Sequence, residues 1–184
     1  LRSQRLQGLF NMLSKALRKH RLKSLQITSE QDFLQHPTLR RLSSLQQLIL
    51  SYNQHRRCRT FYQKPGTYSK VFPKLVHLKH LEITDPIKAS VAAHILDFIP
   101  HPENIKSLGF RLYHTLLTDY TSCSQFKWSL QRFQNLKHFK LNFDVDDPFF
   151  LIIEPLKQCH LLEKLELRFD IKSGSKIIDQ LATF

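Results

Sequence analysis

The chain of 184 residues is 41% hydrophobic and 23% charged, and carries a formal net charge of +13 at pH 7. That balance belongs to a folded domain with enough apolar mass for a core, and it excludes a low-hydrophobicity disordered segment. No apolar run approaches the roughly 18 residues of a membrane span, since even Pro148 to Leu156 is short and contains Glu154.

The charge is unevenly placed. Residues 1–80 hold 16 Lys or Arg against only Glu30 and Asp32, a net of +14, whereas residues 81–184 hold 12 basic and 13 acidic residues, a net of −1. An acidic partner, nucleic acid or protein, is therefore expected to meet the first part of the chain.

Along the chain, Leu6, Phe10, Leu13 and Leu17 predict an amphipathic helix within residues 1–21. A six-residue pattern then recurs six times, apolar at its first, fourth and sixth positions. Its members are Leu22, Leu25, Ile27; Leu45, Leu48, Leu50; Leu78, Leu81, Ile83; Ile105, Leu108, Phe110; Leu136, Phe139, Leu141; and Leu162, Leu165, Leu167. Alternation at the fourth and sixth positions is the period of a short strand with one buried face. Strands are thus expected near 24–28, 47–51, 80–84, 107–111, 138–142 and 164–168.

The starts are separated by 23, 33, 27, 31 and 26 residues. The longest interval holds a basic and aromatic loop, in which Arg56, Arg57, Arg59, Lys64 and Lys70 supply charge and Phe61, Tyr62 and Tyr68 offer stacking surfaces. That combination suits single-stranded nucleic acid, where phosphates meet cations and bases stack on rings. Between later strands, Ser90 is placed to cap a helix carrying Val91, Ile95 and Phe98 that ends at Pro100, and Thr118 to Phe133 sets Phe126, Leu130 and Phe133 on one helical face. Pro148 opens a further apolar stretch, and Ile177 to Phe184 has a helical pattern. Because the chain opens on Leu1, a piece of a longer protein, truncated at both ends, is expected.

Leu45-Gln-Gln-Leu48-Ile-Leu50-Ser-Tyr-Asn53 resembles the core motif of the leucine-rich-repeat superfamily in full. The other units depart from it at the asparagine position, where they carry Glu30, Pro86, Tyr113, Asp144 and Asp170. The resemblance covers about residues 20 to 184 and is closest to an irregular, ribonuclease-inhibitor-like type. It implies one α/β solenoid of about six repeats over residues 1–184, with a curved parallel sheet on the concave side and helices and irregular connections on the convex side. It also implies that three columns line the concave face. They run Ser24, Gln47, His80, Ser107, His138, Lys164; Gln26, Ile49, Glu82, Gly109, Lys140, Glu166; and Thr28, Ser51, Thr84, Arg111, Asn142, Arg168. Among them His80, Glu82, Arg111, His138, Lys140, Asn142, Lys164, Glu166 and Arg168 are the candidate binding residues.

No catalytic constellation stands out. Four scattered glycines form no phosphate cradle, and Gly-x-Ser-x-Gly and His-Glu-x-x-His are absent. Asp144, Asp146 and Asp147 lack the glycine and terminal glutamate of a calcium loop, and His55 with Cys58 has no second ligand pair. No metal or cofactor is expected. Three scattered cysteines, Cys58, Cys123 and Cys159, point to a reducing, intracellular compartment. The expected function is non-catalytic protein binding, through the concave face or the basic loop. An RNA- or nucleoprotein-associated subunit and a scaffold within a larger assembly are the alternatives.

Overall fold

A computed structural model of the chain describes residues 22–29, 42–52, 65–112, 120–143 and 154–169. The predicted helix in residues 1–21, the acidic cluster 144–147 and the segment 177–184 lie outside the described residues.

Six strands, β1 (Ser24–Ser29), β2 (Gln47–Tyr52), β3 (His80–Ile87), β4 (Ser107–Leu112), β5 (His138–Phe143) and β6 (Lys164–Phe169), form one open sheet in sequential order. Every neighbouring pair is parallel. The elements between them are α1 (Pro65–Val71), α2 (Ala89–Asp97) and α3 (Tyr120–Leu130), with 3-10 turns at Phe72–Lys74, Pro102–Asn104 and Glu154–Gln158.

Register explains why the apolar triplets make a core. Leu25, Leu48, Leu81, Leu108, Phe139 and Leu165 stand opposite one another, as do Ile27, Leu50, Ile83, Phe110, Leu141 and Leu167. One face of the sheet is therefore a pair of continuous apolar rows. In β2 to β5 these residues are at most 2% exposed, while in β1 and β6 they are only partly buried against the cluster. A unit gains its full burial only with a neighbour on each side, as in a one-dimensional stack.

The turn entering each strand repeats as well. The N–H of Leu45, Leu78, Ile105, Leu136 and Leu162 donates to the carbonyl three residues earlier, at Leu42, Leu75, Pro102, Phe133 and Cys159. Leu42, Leu75, Phe133 and Cys159 are buried, so a further core position precedes four of the triplets. Cys159 is one of these core groups: its Sγ donates to the Phe133 carbonyl at 3.5 Å, and burial pushes its thiol pKa up. Just before the strands, the carbonyls of Lys23, Gln46, Lys79, Lys106 and Lys137 each accept two consecutive N–H groups from the next unit at 2.8–3.1 Å. This forked ladder locks the N-terminal edge of the sheet.

The helices cover the apolar face. α2 buries Ala92, Ala93, Ile95 and Leu96, and α3 buries Phe126 and Leu130, with the Phe126 ring edge-on to Phe110 at 5.7 Å. Ser90 does not cap α2; the cap position belongs to Lys88, whose extended backbone turns the chain out of β3, and Ser90 lies inside the first turn. At the other end of α2, the Arg132 guanidinium donates to the carbonyls of Leu96, Asp97 and Ile99. Orphan carbonyls of one unit are thus satisfied from the next.

β3 breaks the expected register. Ile83 pairs with Phe110, but the next partner of β4, Arg111, stands opposite Pro86. Thr84 and Asp85 are two extra residues in β3. An even insertion leaves the inside-outside alternation intact, so Asp85 and Ile87 still face inward. Pro86, with no N–H to give, sits at this irregularity.

Candidate functional site

The face of the sheet opposite the helices is polar. Its first two columns follow the expected order, since Ser24, Gln47, His80, Ser107, His138 and Lys164 are in register, as are Gln26, Ile49, Glu82, Gly109, Lys140 and Glu166. The third column is corrected at β3: Pro86, not Thr84, stands opposite Arg111, and Thr84 instead donates its hydroxyl to the Leu50 carbonyl at 3.3 Å. Beyond that point Arg111, Asn142 and Arg168 are neighbours across β4, β5 and β6.

Side chains on this face form a connected charge pattern. Lys140 Nζ donates to Glu82 Oε1 at 2.7 Å across β4. Gly109, the residue between them, leaves the space: a Cβ there would lie 2.9 Å from Glu82 Cγ. On β6, Lys164 pairs with Glu166 at 2.7 Å, and the Lys164 hydrogen bond, with Lys140 and Arg168 nearby, holds the Glu166 carboxyl below its ordinary pKa. Glu163 pairs with Lys137 and lies 3.8 Å from His138, and its pKa is likewise lowered, chiefly by the Lys137 hydrogen bond. Partial desolvation, reinforced by the neighbouring His138 and Lys79, lowers the pKa of His80. Ser24 donates to Gln47 at 2.8 Å, and Asn142 Oδ1 is buried with no hydrogen-bond partner among the described residues.

Comparison with protein-family models, with curated proteins and with solved structures found no match.

All nine candidate residues of the sheet face, His80, Glu82, Arg111, His138, Lys140, Asn142, Lys164, Glu166 and Arg168, lie on β3 to β6 and share that face. Arg56, Arg57, Arg59, Phe61, Tyr62 and Lys64 lie outside the described residues. Tyr68 is not a stacking surface: it belongs to α1, is 2% exposed, and packs beside Phe72 with ring centroids 6.3 Å apart. Its spacing from Phe72 on one helical turn puts both rings in the core. Lys70, also on α1, is exposed.

Two features escape the column reading. Trp128, the single tryptophan, is 67% exposed on α3, away from the sheet face. The other is the row Lys23, Gln46, Lys79, Lys106, Lys137 and Glu163, whose carbonyls before β6 form the forked ladder. Its signal was present in the sequence, because four of the six triplets follow their first apolar residue with lysine.

Among the described residues, no group of three or more His, Cys, Asp or Glu is placed to hold a metal ion, and no helix is long and apolar enough to cross a membrane. Cys123 and Cys159 are free thiols, both buried.

Proposed function

We propose that this chain is a non-catalytic protein-interaction module, a leucine-rich-repeat-like solenoid that presents the polar face of its sheet to a macromolecular partner. One observation carries the reading: a parallel sheet with its apolar face covered by helices and its other face set with registered polar columns, including His80, Glu82, His138, Lys140, Lys164 and Arg168. Strand pairing spaces these side chains at about 4.8 Å, so the face is preorganised and a partner binds without ordering it first.

A protein partner suits this face better than RNA. The registered columns contain imidazoles but no Phe, Tyr or Trp, so bases would find no ring platform there. Mixed charge of the kind made by Glu82, Lys140, Lys164 and Glu166 favours selection of a complementary protein surface.

Photo-crosslinking tests the proposal. A photoreactive amino acid is placed at Ser107 or Lys164 on the sheet face, and at Gln125 or Trp128 on α3, and the protein is irradiated in an extract of its own cells. Protein adducts from the sheet positions, and none from α3, are expected. Adducts confined to α3, or to RNA, would overturn it.

A further inference from the structure

The N-terminal edge of the sheet carries a row that the proposed interaction face does not use. Lys23, Gln46, Lys79, Lys106, Lys137 and Glu163 occupy equivalent positions, stacked by the forked backbone ladder. Three successive units thus set Lys79, Lys106 and Lys137 side by side at strand spacing, about 4.8 Å apart. His80 and His138 adjoin them in the next column.

The chain itself shows what this row accepts. Glu163, in the sixth position, places its carboxylate against the Lys137 ammonium, with its second oxygen 3.8 Å from His138 Nε2. One Lys-His pair of the row is filled by a carboxylate from the neighbouring unit. The matching pair two units back, Lys79 with His80, has no ion pair with a carboxylate among the described residues, and neither has Lys106 between them.

We infer that the Lys79–Lys106 edge, with His80, binds an extended acidic peptide whose carboxylates pair with these ammonium groups as the Glu163 carboxylate pairs with Lys137 beside His138. The inference rests on the interaction reading above and names the chemistry of its partner. An extended peptide presents every second side chain on one side at about 6.6–6.8 Å. Lysine's flexible four-carbon stem adjusts from the strand spacing to that interval. A polynucleotide fits less well, because its bases would meet no aromatic platform on the adjoining face.

Fluorescence anisotropy with a fluorescein-labelled oligoglutamate peptide tests this. The protein is expected to bind it, with affinity that falls as salt rises, because Lys79 is exposed and Lys106 only half-buried. Lys79→Glu with Lys106→Glu should weaken binding by about tenfold or more, and Lys79→Ala with Lys106→Ala should also weaken it, which keeps the test valid if the charge reversal fails to fold. Glu163→Gln, which releases Lys137 and His138, should tighten binding severalfold. Arg168→Glu, at the far end of β6, should have the smaller effect.

Unchanged binding in both lysine variants would overturn the inference, as would no binding by the parent protein. Tighter binding of an oligothymidylate strand of equal charge, lost in the same variants, would replace the acidic peptide by nucleic acid. Sheet-face crosslinks without peptide binding would sink this inference and leave the interaction module standing. Loss of the crosslinks would remove both.

Discussion

Lys140 reaches Glu82 across an intervening strand, and it does so because Gly109 has no side chain. The two charged residues are 58 positions apart in sequence and meet at 2.7 Å over β4. Ion pairs open to solvent contribute about 0–1 kcal/mol, and glycine inside a strand costs about 0.5–1 kcal/mol relative to alanine. Gly109→Ala is therefore expected to be close to neutral in the parent protein, because the gain in backbone order offsets the displaced Glu82. In a Glu82→Ala background the same substitution should stabilise by about 0.5–1 kcal/mol. A double-mutant cycle in urea measures the difference. Additive effects would show that Gly109 and Glu82 are uncoupled.

Arg132 ties one unit to the next by a different device. Its guanidinium donates to three carbonyls at the end of α2, and Ser129 on α3 donates to Asp97 at 2.7 Å beside it. Hydrogen bonds involving a charged group are worth about 1.5–3 kcal/mol, and the partial exposure of this site favours the lower end. Arg132→Ala should cost about 1–2 kcal/mol by the same reasoning. Arg132→Lys should recover only part of it, since an ammonium lacks the planar fork that spans several carbonyls. Equal midpoints of urea unfolding for parent and Arg132→Ala would refute the capping role.

The apolar triplets made the strands readable, because a strand with one buried face needs only alternation. All six expected segments are strands, each extended by one residue at its C-terminal end except β3, which runs three further to Ile87. That excess is the Thr84–Asp85 insertion, which a pattern keyed to positions four and six does not detect because an even insertion preserves alternation. The helices were less readable at their ends, since Ser90 is a good capping residue whose place was taken by Lys88 through backbone geometry alone. Of the candidate site, the columns were legible as soon as the strands were. Tyr68 belongs to the core although its neighbours are basic, because a basic neighbourhood says nothing about which side of a helix faces the core. The Glu82–Lys140 contact depends on an absent side chain on a third strand, which only the register reveals.

Burial that deepens toward the middle of the sheet has an energetic consequence. Leu141 on β5 is fully buried, whereas Leu167, its counterpart on β6, is only partly so. Leu141→Ala should cost about 2–5 kcal/mol, and Leu167→Ala clearly less, because fewer of its atoms leave water on folding. Thermal unfolding of the two variants checks the order. Equal costs would mean that the end unit is packed as tightly as the middle one.

Acid should weaken the fold in two steps, both of the same sign. His80 has a pKa below its ordinary 6.5, through desolvation and then His138 and Lys79. The unfolded chain therefore takes up the proton first, and stability falls as pH drops below about 6.5. Glu163 and Glu166 are held below their ordinary 4.5, chiefly by hydrogen bonds from Lys137 and Lys164. Their contribution is present above that value and is lost as pH falls through the lowered pKa. His80→Gln should abolish the upper step, giving a urea midpoint that is flat between about pH 5 and 7, while the lower step remains. An upper step of undiminished size in His80→Gln would overturn its assignment to His80.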